Sequence, residues 1–521
     1  MFLAQAPAAP IEVPSVDYAA VLPMLIVFGV ACIGVLVEAF APKATRWGIQ
    51  VTISLVAIIA AGVSLILYAT GASASKAGTT TFSGSISVDR PSLFLWGTLL
   101  LLGLGAVFLI ADRKVEPGGA FVAHAAIRPG TVQDRAQAAT TSQTEVFPLT
   151  LFALGGMMTF CAANDLLTMF IALEVLSLPL YLMCGLARRR RLISQEAAVK
   201  YFLLGAFSSA FFLYGLALLY GYADSVKLAD IAHAAAGSDR SDTLLFAGLG
   251  LLVVGLLFKG SVGPFHTWTP DVYQGAPTPV TGFMAACTKV AAFGAILRVL
   301  SVGFSSTSWE WRGVMWAVAI ISMALGAILG LTQTDVKRMI AYSSVAHAGF
   351  LLVGAIAMTE DGLSGTLFYL LAYGFTTLAA FGVVSLVRDS SGEATHLSAW
   401  AGLAKRSPLL AGVFTFLLLA LAGIPLTSGF VGKFVVFSAA LSDGMAPLVV
   451  VALVFSAVAA FFYLRVIVLM YFSEPAADGP TVTVPGGFTT AAIALGVVVT
   501  LVLGVLPAFA LDWAGAGGFA S

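Results

Sequence analysis

Gly423-Ile424-Pro425-Leu426-Thr427-Ser428-Gly429-Phe430-Val431-Gly432-Lys433 lies inside an apolar run over 409–440. One straight membrane crossing needs about 20 residues, so this run is too long for one. Pro425 lacks an amide hydrogen and disfavours a continuous helix. The stretch therefore predicts a crossing built from two half-helices with irregular backbone between them. Such backbone is tolerated at membrane depth only where it lines a cavity or is buried in protein. A second stretch, Lys259-Gly260-Ser261-Val262-Gly263-Pro264, breaks another apolar run, over 243–262. Both breaks sit beside a lysine.

Composition supports the membrane reading. The chain has 521 residues, 59% hydrophobic and 10% charged, with a mean hydropathy of +0.98. A soluble domain carries about 25% charged residues, and 10% would not cover its surface. Lys+Arg and Asp+Glu are equal at 26 each, so the basic excess of a nucleic-acid binder is missing. The apolar fraction excludes a disordered chain. Cys32, Cys161, Cys184 and Cys287 form no Cys-x-x-Cys pair and read as small core residues, not metal, cluster or redox ligands.

Apolar runs give fourteen candidate spans: 18–40, 47–69, 92–111, 147–163, 166–186, 197–222, 243–262, 279–301, 313–332, 338–358, 363–387, 409–440, 446–472 and 488–511. The weakest division is Asn164–Asp165, which must turn the chain between spans four and five. Odd-numbered loops hold fifteen basic residues and even-numbered loops five, so the positive-inside rule places the odd loops in the cytoplasm and both termini outside. Residues 1–17 contain no Lys or Arg, unlike a signal peptide, so the first run is expected to be a retained span. The segment 112–146 is expected to be a flexible cytoplasmic loop, and 223–242 an acidic outer loop with room for a short helix.

Six basic residues fall within spans: Lys200, Lys259, Lys289, Arg298, Lys433 and Arg465. Lys200 and Arg298 lie near span ends and are expected to snorkel; the other four are deeper. A cation at the bilayer centre costs about 2.5–3.5 kcal/mol on insertion scales. Few acids are placed to offset them; Glu174 is mid-span and Glu38 interfacial. A lysine deprived of hydration gives up its proton more readily than one in water, which suits proton transfer. His347, also mid-span, suits the same relay.

The titratable groups repeat. Glu174 and His347 are 173 residues apart, Lys259 and Lys433 174, and Lys289 and Arg465 176. The unit is five spans, an odd number, so the second copy enters the membrane from the opposite side, as in many transporters. The expected fold is an all-α polytopic membrane protein with about 14 transmembrane helices. Two inverted five-helix repeats (helices 4–8 and 9–13) contain the broken helices 7 and 12. The expected divisions are an N-terminal three-helix segment (1–111), a cytoplasmic loop (112–146), two half-channel repeats (147–301 and 313–472) and a C-terminal helix (488–521).

The motifs around these groups resemble the antiporter-like membrane subunits of respiratory complex I, the bacterial NADH–quinone oxidoreductase. The matching stretches are 173–181 (LEVLSLPLY), 196–209 (EAAVKYFLLGAFSS), 259–280, with its proline-rich PFHTWTPDVYQGAPTPV, and 337–344 (KRMIAYSS). The resemblance is dense over roughly 145–475. It implies that Glu174 pairs with Lys259, that Lys259 and Lys289 carry protons in the first half-channel, that His347 links the halves, and that Lys433 gates the second. Another subunit of the type carries Glu where Lys433 stands, and the largest has a long lateral helix; this chain, ending at Ser521 soon after its last span, is expected to be neither.

The resemblance further implies proton translocation coupled to redox chemistry in other subunits of the bacterial inner membrane. Those partners would carry FMN and iron–sulfur clusters and bind NADH and quinone. No cofactor or metal is expected in this chain, which lacks a Gly-x-Gly-x-x-Gly fingerprint. The expected neighbours are other membrane subunits on both sides, and lipid. A subunit of a multisubunit cation/proton antiporter shares the motifs and is the alternative. A scaffold subunit whose lysines bind lipid headgroups or hold helices together is a third reading.

Overall fold

The computed structural model describes residues 16–71, 78–116, 118–122, 131–132, 143–237, 241–389, 392–475 and 479–520. The chain start and most of the 112–146 loop, on which two of the expectations above fall, lie outside the described residues.

The chain is almost wholly helical. The helices are α1 (Tyr18–Phe40), α2 (Lys43–Thr70), α3 (Arg90–Ala111), α4 (Val146–Ala162), α5 (Leu166–Cys184), α6 (Arg191–Ala223), α7 (Leu228–Gly237), α8 (Thr243–Lys259), α9 (Trp268–Gly275) and α10 (Thr278–Gly303). They continue with α11 (Ser308–Thr332), α12 (Val336–Ala357), α13 (Glu360–Val384), α14 (Leu403–Arg406), α15 (Pro408–Ala422), α16 (Ser428–Ser442), α17 (Ala446–Phe472), α18 (Gly487–Val505) and α19 (Ala508–Ala514). Among the described residues eleven helices are long and apolar enough to cross a membrane; α4, α8, α15 and α16 are shorter apolar helices. The runs over 243–262 and 409–440 are broken as expected, into α8 with α9 and into α15 with α16. A hairpin (Thr79–Thr81 with Ile86–Val88) and a small sheet (Val387–Asp389 between Gly392–Glu393 and Thr481–Val482) are the strands, all antiparallel.

Short polar side chains start the helices. Asp89 accepts from Ser92 N, Asp165 from Thr168 N, Asp335 from Lys337 N and Arg338 N, and Thr359 from Gly362 N. Each satisfies an amide that the first turn leaves without a partner. The Asn164–Asp165 division is thus a capped turn.

Four helices, α3, α10, α12 and α13, are almost entirely enclosed by protein. The surrounding helices expose apolar side chains such as Ile59, Ile66, Leu203, Phe207 and Phe461, a surface suited to lipid. The polar groups of interest project from the enclosed helices and their immediate neighbours.

Two features recur at a fixed offset. Leu166 N bonds Val226 O and Leu228 N bonds Asn164 O; Val336 N bonds Thr395 O and Leu397 N bonds Thr334 O. Gly156 lies against the Leu176 backbone, where a Cβ would come within 2.6 Å of its amide nitrogen, and Gly326 lies equally hard against Ala346. Gly156 to Gly326 and Leu176 to Ala346 are each 170 residues. Packing therefore sets a register different from the charges: His347 is the counterpart of Ser177, and Glu174 of Ser344. The sequence pairing of Glu174 with His347 is corrected by about one helical turn, because glycines at helix crossings fix the register.

Arg298 does not snorkel. It is fully buried, 2.9 Å from Asp89, and donates to Ser92 Oγ and Cys161 O. A carboxylate from α3's N-terminus, distant in sequence, makes this burial possible. Arg465, also read as a deep cation, lies on the exposed surface and donates to Leu331 O at the end of α11.

Candidate functional site: a buried row of lysines, hydroxyls and a histidine

Lys259 ends α8, with Gly260 immediately after it. It is 4% exposed, and its Nζ donates to Ser177 Oγ (2.8 Å) and Tyr201 OH (2.9 Å). Tyr201 is held flat against Trp268 of α9, with ring centroids 4.6 Å apart and planes 7° from parallel. The Trp268 indole donates to Phe258 O, so the second half-helix buttresses the lysine of the first. The row begins as a lysine among hydroxyls, not as a contact ion pair.

Glu174 does not bond Lys259. It lies on the α5 face that also exposes Leu167, Ile171, Leu178 and Leu182, and its buried Oε1 has no hydrogen-bond partner. Ser177, one turn on, takes the contact that the resemblance assigns to the carboxylate.

Lys289 follows a π-helical turn, Met284–Thr288, inside α10. Such turns frequently mark functional sites. Its Nζ donates to Ser344 O (2.6 Å) and sits 5.5 Å over the Tyr373 ring. Lys289 is thereby tied to α12, three residues before His347.

His347 faces a phenol on each ring nitrogen: Nδ1 is 2.7 Å from Tyr369 OH and Nε2 is 3.3 Å from Tyr463 OH. Tyr463 also bonds Ser343. Imidazole and phenol can each accept a proton at one point and release one at another.

Lys433 follows the second break, in α16. Its Nζ donates to Ala422 O (2.8 Å), Leu421 O (3.2 Å) and Ser456 Oγ (3.0 Å). The two carbonyls are free because the helix ends there. The amide that Leu421 O would accept from belongs to Pro425, which has none, and Leu426, the partner position for Ala422, turns to a φ of +70°. A helix C-terminus carries partial negative charge that favours a cation. The Leu421 and Ala422 carbonyls thus hold Lys433 at the end of α15. Lys259 stands before its break and Lys433 after its own, so the two lysines share a span type but not a position along it.

A polar cluster sits near the start of α12. Asp271 of α9 accepts from Lys200 Nζ (2.7 Å) and Arg338 Nη1 (2.6 Å), and Lys200 also pairs with Glu196. Among the described residues no group of three or more His, Cys, Asp or Glu converges as metal ligands would.

Sequence reasoning identified the cations and missed their partners. Ser177 and Tyr201 lie inside stretches already singled out. Tyr369 and Tyr373 are four apart on α13, and Ser456 and Tyr463 seven apart on α17. Polar residues at helical spacing inside apolar runs were the available signal.

Broken helices carrying buried lysines, with hydroxyls and a histidine between them, define an antiporter-like membrane protein. Residues 163–473 match the family described as NADH:quinone oxidoreductase/Mrp antiporter, transmembrane, and the chain belongs to that family. It is 76% identical to NADH-quinone oxidoreductase subunit N of Saccharopolyspora erythraea, over 98% of this chain and 99% of that protein. It is 59% identical to subunit N of Acidothermus cellulolyticus, over 97% and 96%. A chain of respiratory complex I from Thermus thermophilus with bound aureothin superposes with a TM-score of 0.75 at 34% identity, covering 95% of this chain and 100% of that one. A chain of the Mrp complex from Dietzia sp. reaches 0.80 at 22% identity, covering 96% of each, and shows the shared fold.

Proposed function

We propose that this chain is a proton-translocating membrane subunit of a bacterial NADH–quinone oxidoreductase, and that Lys259, Lys289, His347 and Lys433 carry the protons with Glu174 controlling entry. The observation that carries this reading is the row itself. Each cation donates to a hydroxyl or to a carbonyl that its helix leaves free or shares, and His347 stands between two phenols, three residues from the Ser344 carbonyl that Lys289 meets.

NADH oxidation, quinone reduction, FMN and the iron–sulfur clusters belong to partner subunits, with other membrane subunits on both sides of this one. Residues 147–301 and 313–472 act as two half-channels in the inner membrane. The basic excess of the odd loops supports an orientation with both termini outside.

Control by Glu174 follows from electrostatics. The carboxylate has an oxygen without a partner, so movement costs it no hydrogen bond there. Bringing it from about 8 to about 4 Å of an ammonium adds about 2 kcal/mol of attraction at an effective dielectric constant of about 20. That is about a thirtyfold change in how firmly the proton is held. A partner that moves α5 would thus load or release Lys259. The proton then passes by Lys289 and His347 to Lys433.

The antiporter-subunit reading is favoured by the shared fold of the Mrp chain. Purification from the native membrane separates the two. Co-purification with NADH-oxidising, flavin- and iron–sulfur-containing subunits is the expected result; an assembly without flavin that exchanges a cation for protons would overturn it.

A further inference from the structure

We infer that the groove between α2, α3 and α18 binds one anionic phospholipid. Its walls are aromatic. Trp47 and Phe108 each stand against Phe488, with ring centroids 6.4 and 5.9 Å apart. Ala111 and Ala491 leave the space between them open, in a groove of about 560 Å³. That space greatly exceeds what a bare ion fills, and its lining is apolar, as acyl carbons require.

The rim is cationic. Arg113 and Lys114 border the groove, with the Arg113 guanidinium 4.9 Å over the Trp47 ring. Among the described residues neither has an acidic partner within ion-pair distance. Lys43 is exposed four residues before Trp47, on the same helix face. The one carboxylate in the wall, Asp112, is spent on the backbone amides of Lys114 and Thr489. The charge facing the groove is therefore positive.

The Trp47 indole nitrogen behind this wall is buried and has no acceptor in the protein. Indole N–H groups at a membrane interface serve the headgroup and ester region. The groove lies where α2 and α18 begin and α3 ends, on the side of the basic excess. Apolar walls beneath a cationic rim at that depth match an anionic phospholipid of that leaflet. Its headgroup phosphate would meet Arg113 and Lys114, and its first acyl carbons would lie against Phe488.

The test uses the assembled complex, delipidated in mild detergent and titrated with phosphatidylglycerol or phosphatidylcholine while bound lipid is counted by native mass spectrometry. Wild type should retain phosphatidylglycerol and exclude phosphatidylcholine. The pair Arg113→Gln with Lys114→Gln should weaken that binding about thirtyfold, and Arg113→Lys with Lys114→Arg should keep it. Phe488→Ala should weaken it with charge unchanged. Inorganic phosphate should not compete. Equal retention by the Gln pair, equal binding of phosphatidylcholine, or full competition by phosphate would each overturn the inference.

Discussion

Lys259 and Lys433 are both buried beside a break in a helix and have different surroundings. Two side-chain hydroxyls hold the first; two carbonyls and a serine hold the second. Tyr201→Phe should therefore impair proton transfer at Lys259 while leaving the helices in place, because the ring still stacks on Trp268. Tyr463→Phe and Tyr369→Phe each remove one oxygen from His347, and the double variant should slow pumping little more than the worse single, as expected for groups in series. Pumping in proteoliposomes, set against complex assembled in the membrane, separates these effects from misfolding. Glu174→Ala should give a smaller loss than Lys259→Ala, since Glu174 makes no direct bond to the lysine. At this scale the cations were legible because charge is rare in an apolar chain. Their hydroxyl partners were not, since Tyr and Ser on an apolar helix look like core until a neighbouring helix turns a lysine towards them. Arg298 and Arg465 were misjudged for the same reason: depth along a span does not say which face meets protein.

Broken helices turn backbone into part of the site. Pro425→Ala would restore an amide able to bond Leu421 O, competing with Lys433 for it. Pumping should fall while the assembled amount stays close to wild type, and quantitative immunoblotting with a proton-uptake assay reads both. The crossings behave differently. Gly326→Val would force a side chain into the Ala346 backbone, and overpacking of that kind costs about 1–3 kcal/mol or more. The level of assembled complex should drop, and Gly156→Val should do the same at the related crossing. Both breaks were legible from Pro and Gly inside apolar runs. The register of the repeat was not. The charges gave offsets of 173 to 176, whereas the Gly156 and Gly326 crossings and their paired turns give 169 and 170. Small residues at helix crossings carry that register, and nothing in their local sequence distinguishes them from other glycines.

Across the whole molecule, polar contacts tie distant segments around an enclosed set of four helices. Asp89, Arg298 and the backbone of Ala520 bring together α3, α10 and the segment after α19. Asp89→Asn leaves Arg298 buried without its counter-charge and should destabilise the assembled subunit by about 3–5 kcal/mol, seen as a lower thermal transition of the complex. The lateral surface is apolar and the interior holds a polar row with three buried lysines, while most of the chain's charge lies in the loops. The claim that this row conducts is tested most directly by pumping. Lys259→Ala and Lys433→Ala are each to be introduced into the assembled NADH–quinone oxidoreductase and reconstituted in liposomes, and protons moved per NADH oxidised are then counted. The account predicts that each variant assembles with its flavin and iron–sulfur partners yet moves fewer protons per NADH or loses turnover about a hundredfold. A wild-type proton count at wild-type turnover in both variants would contradict it.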